Sequence, residues 1–244
     1  IYDRTTRGLR IYLATPRLRG LLAVNAAVAA AGSMVFVNTV VMVQAGFGLT
    51  QSAVALALAS FGAGSMVAAL VLPRLLEKLA DRRVMLGGIG LLVAGMFAGT
   101  LVVGHTSLLA LWFVLGLGYS TAQTPSSRLL RRSSNPEDRP ALFAAQFALS
   151  HACWLLFYPL AGWLGVTFGM SVTFVVLGVS GALAVWATLT VWPAIDPEVI
   201  EHEHPELPAG HDHTRGAVAN RGGVRHAHRF VVDDHHPHWP NMVR

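Results

Sequence analysis

Three long stretches of this sequence contain no Asp, Glu, Lys or Arg: residues 20–73, 84–127 and 140–195. A helix needs about 20 apolar residues to cross the hydrocarbon core of a bilayer, so each stretch is long enough for two such helices. A soluble helical protein would need charged residues on its outer faces, but only 13% of this chain is charged. The sequence therefore predicts an all-α membrane protein with six transmembrane helices.

The distribution of arginine predicts the orientation of these helices. Polar turns within the three stretches contain no Lys or Arg; they lie near residues 44–51, 104–107 and 166–169. The segments that separate the stretches, 74–83 and 128–139, are basic, and short basic loops remain on the cytoplasmic side of a membrane. Both termini are therefore also predicted to be cytoplasmic.

This topology divides the chain into three parts. Residues 1–19 form a basic cytoplasmic linker, residues 20–195 the six-helix transmembrane domain, and residues 196–244 a cytoplasmic tail. The tail is predicted to be disordered, because it is polar and rich in Pro and Gly. The predicted location is the inner membrane of a bacterium, as a multi-pass protein.

The first basic loop carries a known pattern. Its sequence Leu79-Ala80-Asp81-Arg82-Arg83 resembles the Asp-Arg loop between the second and third helices of each half of a major facilitator superfamily transporter. The family pattern is G-x-x-x-D-R-x-G-R-R/K, of which Asp81 and Arg82 match in place, whereas Glu77 stands at the first glycine. The resemblance implies that Asp81 and Arg82 latch the cytoplasmic side through charge pairs and a helix end.

Later segments extend the resemblance to the C-terminal half of such a transporter. Residues 123–140 resemble its loop between the tenth and eleventh helices, and Tyr158-Pro159-Leu160-Ala161-Gly162 resembles the Gly/Pro-bearing part of the eleventh. The implied fold is half of the family's fold, built as two inverted three-helix repeats. The implied partners are membrane lipids, a small solute and a missing N-terminal half of the same protein, with no nucleic acid and no enzymatic activity.

Few groups inside the predicted spans could contact a solute, and none is a carboxylate. His151 lies near the middle of a span, where it either faces a cavity or forms a hydrogen bond to a neighbouring helix. Gln146 and Ser150 share a helix face, with Trp154 one turn further, which suits a cavity wall or a helix interface. Further cavity candidates are the amides Asn25, Asn38 and Gln123, although amides in spans more often hold helices together.

The tail contains nine of the eleven histidines. Imidazole and carboxylate ligands without cysteine favour Ni(II), Co(II) or Zn(II), whereas a polar spacer needs no ligand at all. Histidine-rich tails also resemble those of nickel- and cobalt-resistance permeases in the superfamily. The candidate metal ligands are His202, His204, His211, His213, His226, His228, His235, His236 and His238.

Together these features predict a secondary active exporter that moves a small solute by alternating access. The solute is predicted to include a divalent metal such as nickel or cobalt. The alternative is a membrane-anchored metal-binding or sensor module without transport activity, whose bundle interior would be apolar and filled.

Overall fold

The computed structural model describes residues 2–204, 218–220, 223–233, 236, 239 and 240. In these residues the chain forms eight α-helices and one small antiparallel sheet. The helices are α1 Tyr2–Ala14, α2 Pro16–Val40, α3 Gln51–Lys78, α4 Asp81–Ala98, α5 His105–Gln123, α6 Ser126–Arg132, α7 Arg139–Phe168 and α8 Met170–Val191. The strands are β1 Val199–His204, β2 Val218–Asn220 and β3 Gly223–Arg229, in the order β1-β3-β2.

Helix α2 is the centre of the bundle. Small and apolar residues surround its axis on all sides, and 72% of its membrane-spanning window is buried. It runs antiparallel to α8, with Gly20 against Trp192, and parallel to α7, with Gly32 against Trp154. A Cβ atom at either glycine would overlap the facing indole ring, so these two glycines allow α7 and α8 to approach α2 closely.

Within the described residues, five helices are long and apolar enough to cross a membrane. They are Pro16–Gly46, which extends α2 by a π-helical turn at Val41–Gly46, then Gln51–Lys78, Asp81–Leu101, Arg139–Phe168 and Met170–Val191. The predicted fourth span, α5, is not among them, because polar residues at both of its ends lower its mean hydropathy. The prediction of six spans is thus confirmed for five helices.

Helix α5 nevertheless runs parallel to α3 along most of its length. His105 Nε2 lies 3.0 Å from the Ala53 carbonyl near the start of both helices, and Ser65 Oγ donates to the Gly116 carbonyl at 3.1 Å further along. Beyond the end of α5, Arg128 Nη1 donates to the Leu76 carbonyl at 3.4 Å. Helix α5 therefore extends through much of the same thickness of the bundle as α3.

The linker predicted before the first span contains a helix that packs against α7. Ile11 and Tyr12 of α1 are buried, and Gly8 lies against the backbone of Ala141. Arg7 pairs with Asp138, just before α7, at 2.5 Å. Helix α1 is therefore attached to the first turns of α7 and enters α2 through a short break at Thr15.

Two segments that were predicted to be irregular contain regular structure among the described residues. The basic loop predicted at 128–139 begins as helix α6, and the irregular part is residues 133–138. The tail was predicted to be disordered, but β1 pairs with β3 and β2 pairs with β3. Ile200, Phe230, Val231 and Val232 are buried, so apolar burial against the bundle outweighs the low hydrophobicity of the tail at these positions.

The contact between α3 and α5 generates the first testable prediction. A Cβ atom at Gly64 would overlap the Phe113 carbonyl, whereas a Cβ atom at the neighbouring Gly62 meets nothing within 4 Å. Gly64→Ala should therefore lower the free energy of unfolding by about 1–3 kcal/mol, because the two helices must separate. Gly62→Ala is the matched control, and it should leave the stability unchanged or raise it, since alanine favours helix.

Thermal unfolding of the purified protein in detergent measures both variants. Equal melting temperatures for Gly64→Ala and Gly62→Ala would show that α3 and α5 do not pack this closely.

Candidate functional site

The carboxylate of Asp81 lies buried at the start of α4. The extended backbone of Leu79 and Ala80 ends α3 and makes Asp81 the first residue of α4, where the helix dipole favours a negative charge. Arg128 Nε lies 3.3 Å from Oδ1 and Arg132 Nη1 lies 3.8 Å from Oδ2, and both arginines belong to α6. Asp81 therefore connects α4 to α6 through two ion pairs.

Arg82 contacts the opposite end of a neighbouring helix. Its Nε atom donates to the Trp192 carbonyl at 3.0 Å, and Nη2 donates to the Leu189 carbonyl at 3.5 Å. These carbonyls belong to the end of α8, where a helix has unpaired acceptors and a partial negative charge. Asp81 thus lies in charge pairs and Arg82 at a helix end, and the latch role of these two residues stays a prediction.

Arg132 links α4 and α6 to the segment after α8. Its Nη2 atom lies 2.9 Å from Asp196 Oδ2, and its Nε atom lies 3.5 Å from Glu198 Oε1. Asp196 also accepts from Trp192 Nε1 at 3.1 Å and lies 3.5 Å from Arg17 Nε. We call Arg17, Asp81, Arg128, Arg132, Asp196 and Glu198 the ion-pair network.

The network combines burial with balanced charge. Its three arginines face three carboxylates, and the side chains of Asp81 and Arg17 are each only 1% exposed. A buried ion pair recovers its desolvation cost only if the partners stay together, so removing one partner leaves a costly isolated charge. The network can therefore hold this end of the bundle in one arrangement and resist partial separation.

A cleft lined by both polar and apolar side chains opens between α5, α6 and α7. Its volume is about 380 Å³. The polar lining residues are Gln123, Thr124, Ser126, Ser127, Gln146 and Ser150, and the apolar ones are Leu130, Phe143 and Phe147. The lining offers neutral donors and acceptors, which suits a solute that forms hydrogen bonds.

Gln146 joins the cleft to a buried polar group. Its Oε1 atom accepts from the Tyr12 hydroxyl at 2.6 Å, and burial raises the pKa of Tyr12, so this phenol stays a donor at physiological pH. Asn25 lies beside Tyr12 and is 2% exposed. Two of the predicted cavity amides, Gln146 and Gln123, thus line the cleft, whereas Asn25 is not part of its lining.

Two other predicted cavity residues lie outside the cleft. Asn38 is buried and donates from Nδ2 to the Ala161 carbonyl at 3.2 Å, so it holds α2 against α7. His151 is exposed, its Nδ1 atom lies 2.8 Å from the Phe147 carbonyl of the same helix, and its ring stacks near that of Phe147. Among the described residues, His151 forms no hydrogen bond to a neighbouring helix, which was one of its two predicted alternatives.

An aromatic cluster beyond the cleft was missed by the sequence analysis. Trp154, one turn after Ser150, contacts Phe36 and Tyr158, with ring centroids 6.0 and 4.9 Å apart. Phe61 and Tyr119 complete the cluster, so α2, α3, α5 and α7 all contribute rings. These residues are far apart in sequence and only the helix packing brings them together. The predicted stripe Gln146, Ser150 and Trp154 runs from the cleft to this cluster.

The predicted metal ligands of the tail fall into three groups. His211, His213, His235 and His238 lie outside the described residues, and the described residues contain no group of three metal-binding side chains. His228 and His236 form an edge-to-face ring contact at 5.1 Å, and His236 Nδ1 lies 2.9 Å from Asp233 Oδ1. In the sheet register His202 lies opposite His226, with His204 two residues further along β1.

The ion pair between Asp81 and Arg132 can be tested by a double-mutant cycle. The two single changes, Asp81→Asn and Arg132→Gln, should be coupled by about 1 kcal/mol or more in the free energy of unfolding, because both side chains are largely buried. Asp81→Asn combined with Arg83→Gln is the control, since Arg83 is exposed and has no ion pair among the described residues. Additive effects in both cycles would contradict the pairing.

Comparison with protein families agrees with this geometry. The sequence profile of the Major Facilitator Superfamily matches residues 22–230, from α2 into the tail, and no curated relative matches the sequence. The matched region is most of the chain, and members of this family are membrane transporters of small molecules and not typically enzymes. The chain therefore belongs to the Major Facilitator Superfamily of multi-pass membrane transporters.

Proposed function

We propose that the protein is a secondary active exporter that moves a small solute out of a bacterial cell by alternating access. The observation that carries this proposal is the cleft between α5, α6 and α7. Six of the side chains that line this cleft can form hydrogen bonds to a solute. A bundle that served only as an anchor would have no need of six hydrogen-bonding side chains around one cavity.

The chain supplies the C-terminal half of this transporter in the proposal. Helix α5 acts as the sixth span, because it runs beside α3 through much of the bundle and contains no charged residue. The face that carries the cleft and the partly exposed rings of Phe36 and Tyr158 would then meet the N-terminal half. Solute would pass between the two halves, along the stripe from Gln146 to Trp154.

The ion-pair network acts as the latch at the cytoplasmic end. Opening this end requires α4 to separate from α6 and α8, which breaks the contacts of Asp81 and Arg82 described above. Because the charges would be desolvated in the closed state and hydrated in the open state, the two arrangements are separated by a barrier. The network therefore favours two discrete states, as alternating access needs.

The histidines of the tail favour a divalent metal as one of the transported solutes. In the β1–β3 register His202 lies opposite His226, while His204 lies opposite Val224 and His228 opposite Ile200, so four histidines fall within this short pairing. Imidazole ligands favour Ni(II), Co(II) and Zn(II). A tail on the cytoplasmic side would collect such an ion before export.

A sensor module without transport activity is the second candidate, and the tail favours it equally. In that case the same histidines bind metal and the helices only hold the tail at the membrane. The two candidates differ in whether the cleft carries solute.

Flux measurements separate these candidates. The protein is reconstituted into liposomes that contain a metal-sensitive dye, and Ni(II) and Co(II) are supplied as probes. We expect metal flux in the wild type and a decrease of roughly ten-fold in Gln146→Ala, because loss of one positioned hydrogen bond costs about 1.5 kcal/mol. Gln44→Ala is the matched control, since Gln44 is exposed in the turn after α2 and does not line the cleft.

The outcomes distinguish the parts of the proposal. Metal flux that is unchanged in Gln146→Ala would contradict the role of the cleft. Metal binding to the protein without any flux would favour the sensor. Flux of other solutes without metal flux would exclude metal as a solute but would still support a transporter.

A further inference from the structure

Arg17 is a buried cation whose partners all come from the far end of the chain. Its side chain is 1% exposed, and its three guanidinium nitrogens form no hydrogen bond with the described residues. The nearest carboxylate is Asp196 at 3.5 Å, and the ring of Trp239 lies 4.6 Å from the guanidinium carbon. A buried cation with no counter-charge is strongly destabilising, so Arg17 depends on the segment after α8.

Arg132 depends on the same segment. Within the bundle its Nη1 atom lies 3.8 Å from Asp81 Oδ2. Its Nη2 atom lies 2.9 Å from Asp196 Oδ2, and its Nε atom lies 3.5 Å from Glu198 Oε1. The closest acceptor of Arg132 is therefore outside the helices, although Asp81 is the residue that the family pattern identifies. Arg132 stands between one carboxylate that belongs to α4 and two that belong to the tail.

Apolar contacts and further hydrogen bonds hold the tail in this place. Phe230 contacts both His236 and Trp239, with ring centroids 4.9 and 5.1 Å apart, and it is buried together with Val232. Arg229 Nη2 donates to the Arg131 carbonyl at the end of α6, at 2.7 Å. The described part of the tail therefore packs against the end of the bundle that carries the ion-pair network.

We propose that the tail is a clamp on the latch, with Asp196 as its positioning residue. Asp196 fixes Arg17 and Arg132 in the closed arrangement, and Trp239 covers Arg17. The tail must release both arginines before α6 can move away from α2 and from the end of α8. The proposal rests on the proposed function, because it assigns the regulation of that transporter's cytoplasmic end to the chain's own C-terminal segment.

The short segment between α8 and Asp196 explains how the Asp196 side chain reaches both Arg17 and Arg132. Trp192 follows α8 directly and Pro193 comes next, and the chain then turns so that Asp196 accepts from the indole of Trp192, four residues earlier. Trp192 is itself buried against Gly20 of α2. Asp196 is thus held at a fixed position relative to α2 and α8 before it meets either arginine.

Cysteine labelling in inside-out membrane vesicles tests the clamp without any solute. Two reporters are built separately in a Cys153→Ala background: Ser134→Cys, in a buried position next to the tail contact at Asn135, and Ser33→Cys, in a buried position within α2. In each, Asp196→Asn and Trp239→Ala should raise the rate of modification by a water-soluble maleimide about ten-fold. The reason is that loss of the charge or of the ring shifts the population toward the open arrangement.

Two controls separate the role of charge from general destabilisation. Asp196→Glu keeps the carboxylate and should restore a rate close to that of the parent protein. Glu137→Gln removes an exposed carboxylate from the same side, without an ion pair in the described part of the chain, and it should change neither rate.

Each outcome decides the proposal. Unchanged labelling at position 134 would show that Asp196 does not hold the tail, and would overturn it. A higher rate at 134 with an unchanged rate at 33 would show a docked tail that does not control the latch, and would also overturn it. Because labelling needs no transported solute, these results stand even if the metal-flux experiment fails.

Discussion

Arg132 is the residue on which the arrangement of the charged end depends. It lies within ion-pair distance of Asp81 on α4 and of Asp196 and Glu198 after α8, while its own helix, α6, precedes α7. Because its side chain is only 14% exposed, water screens these contacts weakly. One side chain thus couples α4 and α6 to the segment after α8, and any motion that separates them must first rehydrate its charge.

The rest of the bundle is held by contacts of another kind. Glycines allow α3 to approach α5 and α2 to approach α7 and α8, and these apolar contacts carry no charge. Such contacts let helices tilt or slide with little electrostatic cost. The protein therefore combines an apolar interior with a charged end, and the cleft lies next to that end. This division suits a transporter whose access is controlled at one side.

The sequence predicted the elements that depend on local pattern. Uncharged stretches predicted the membrane helices, and the Asp-Arg pattern predicted that Asp81 and Arg82 would meet charge and a helix end. It could not predict Arg17 and Asp196 as partners, because they are separated by most of the chain and neither lies in a family pattern. The order in the tail was missed for a related reason: Phe230 and Ile200 become buried only against a bundle that tail composition does not describe.

The most direct measurement of this coupling is a distance between α6 and α8. Spin labels at Ser127 and Thr190, both exposed, report the separation of these helices by double electron–electron resonance in liposomes. We expect one narrow distance distribution in the wild type and a second, longer population after Arg132→Gln, because the network would no longer hold the end closed. An unchanged single distribution in Arg132→Gln would contradict the central role of Arg132.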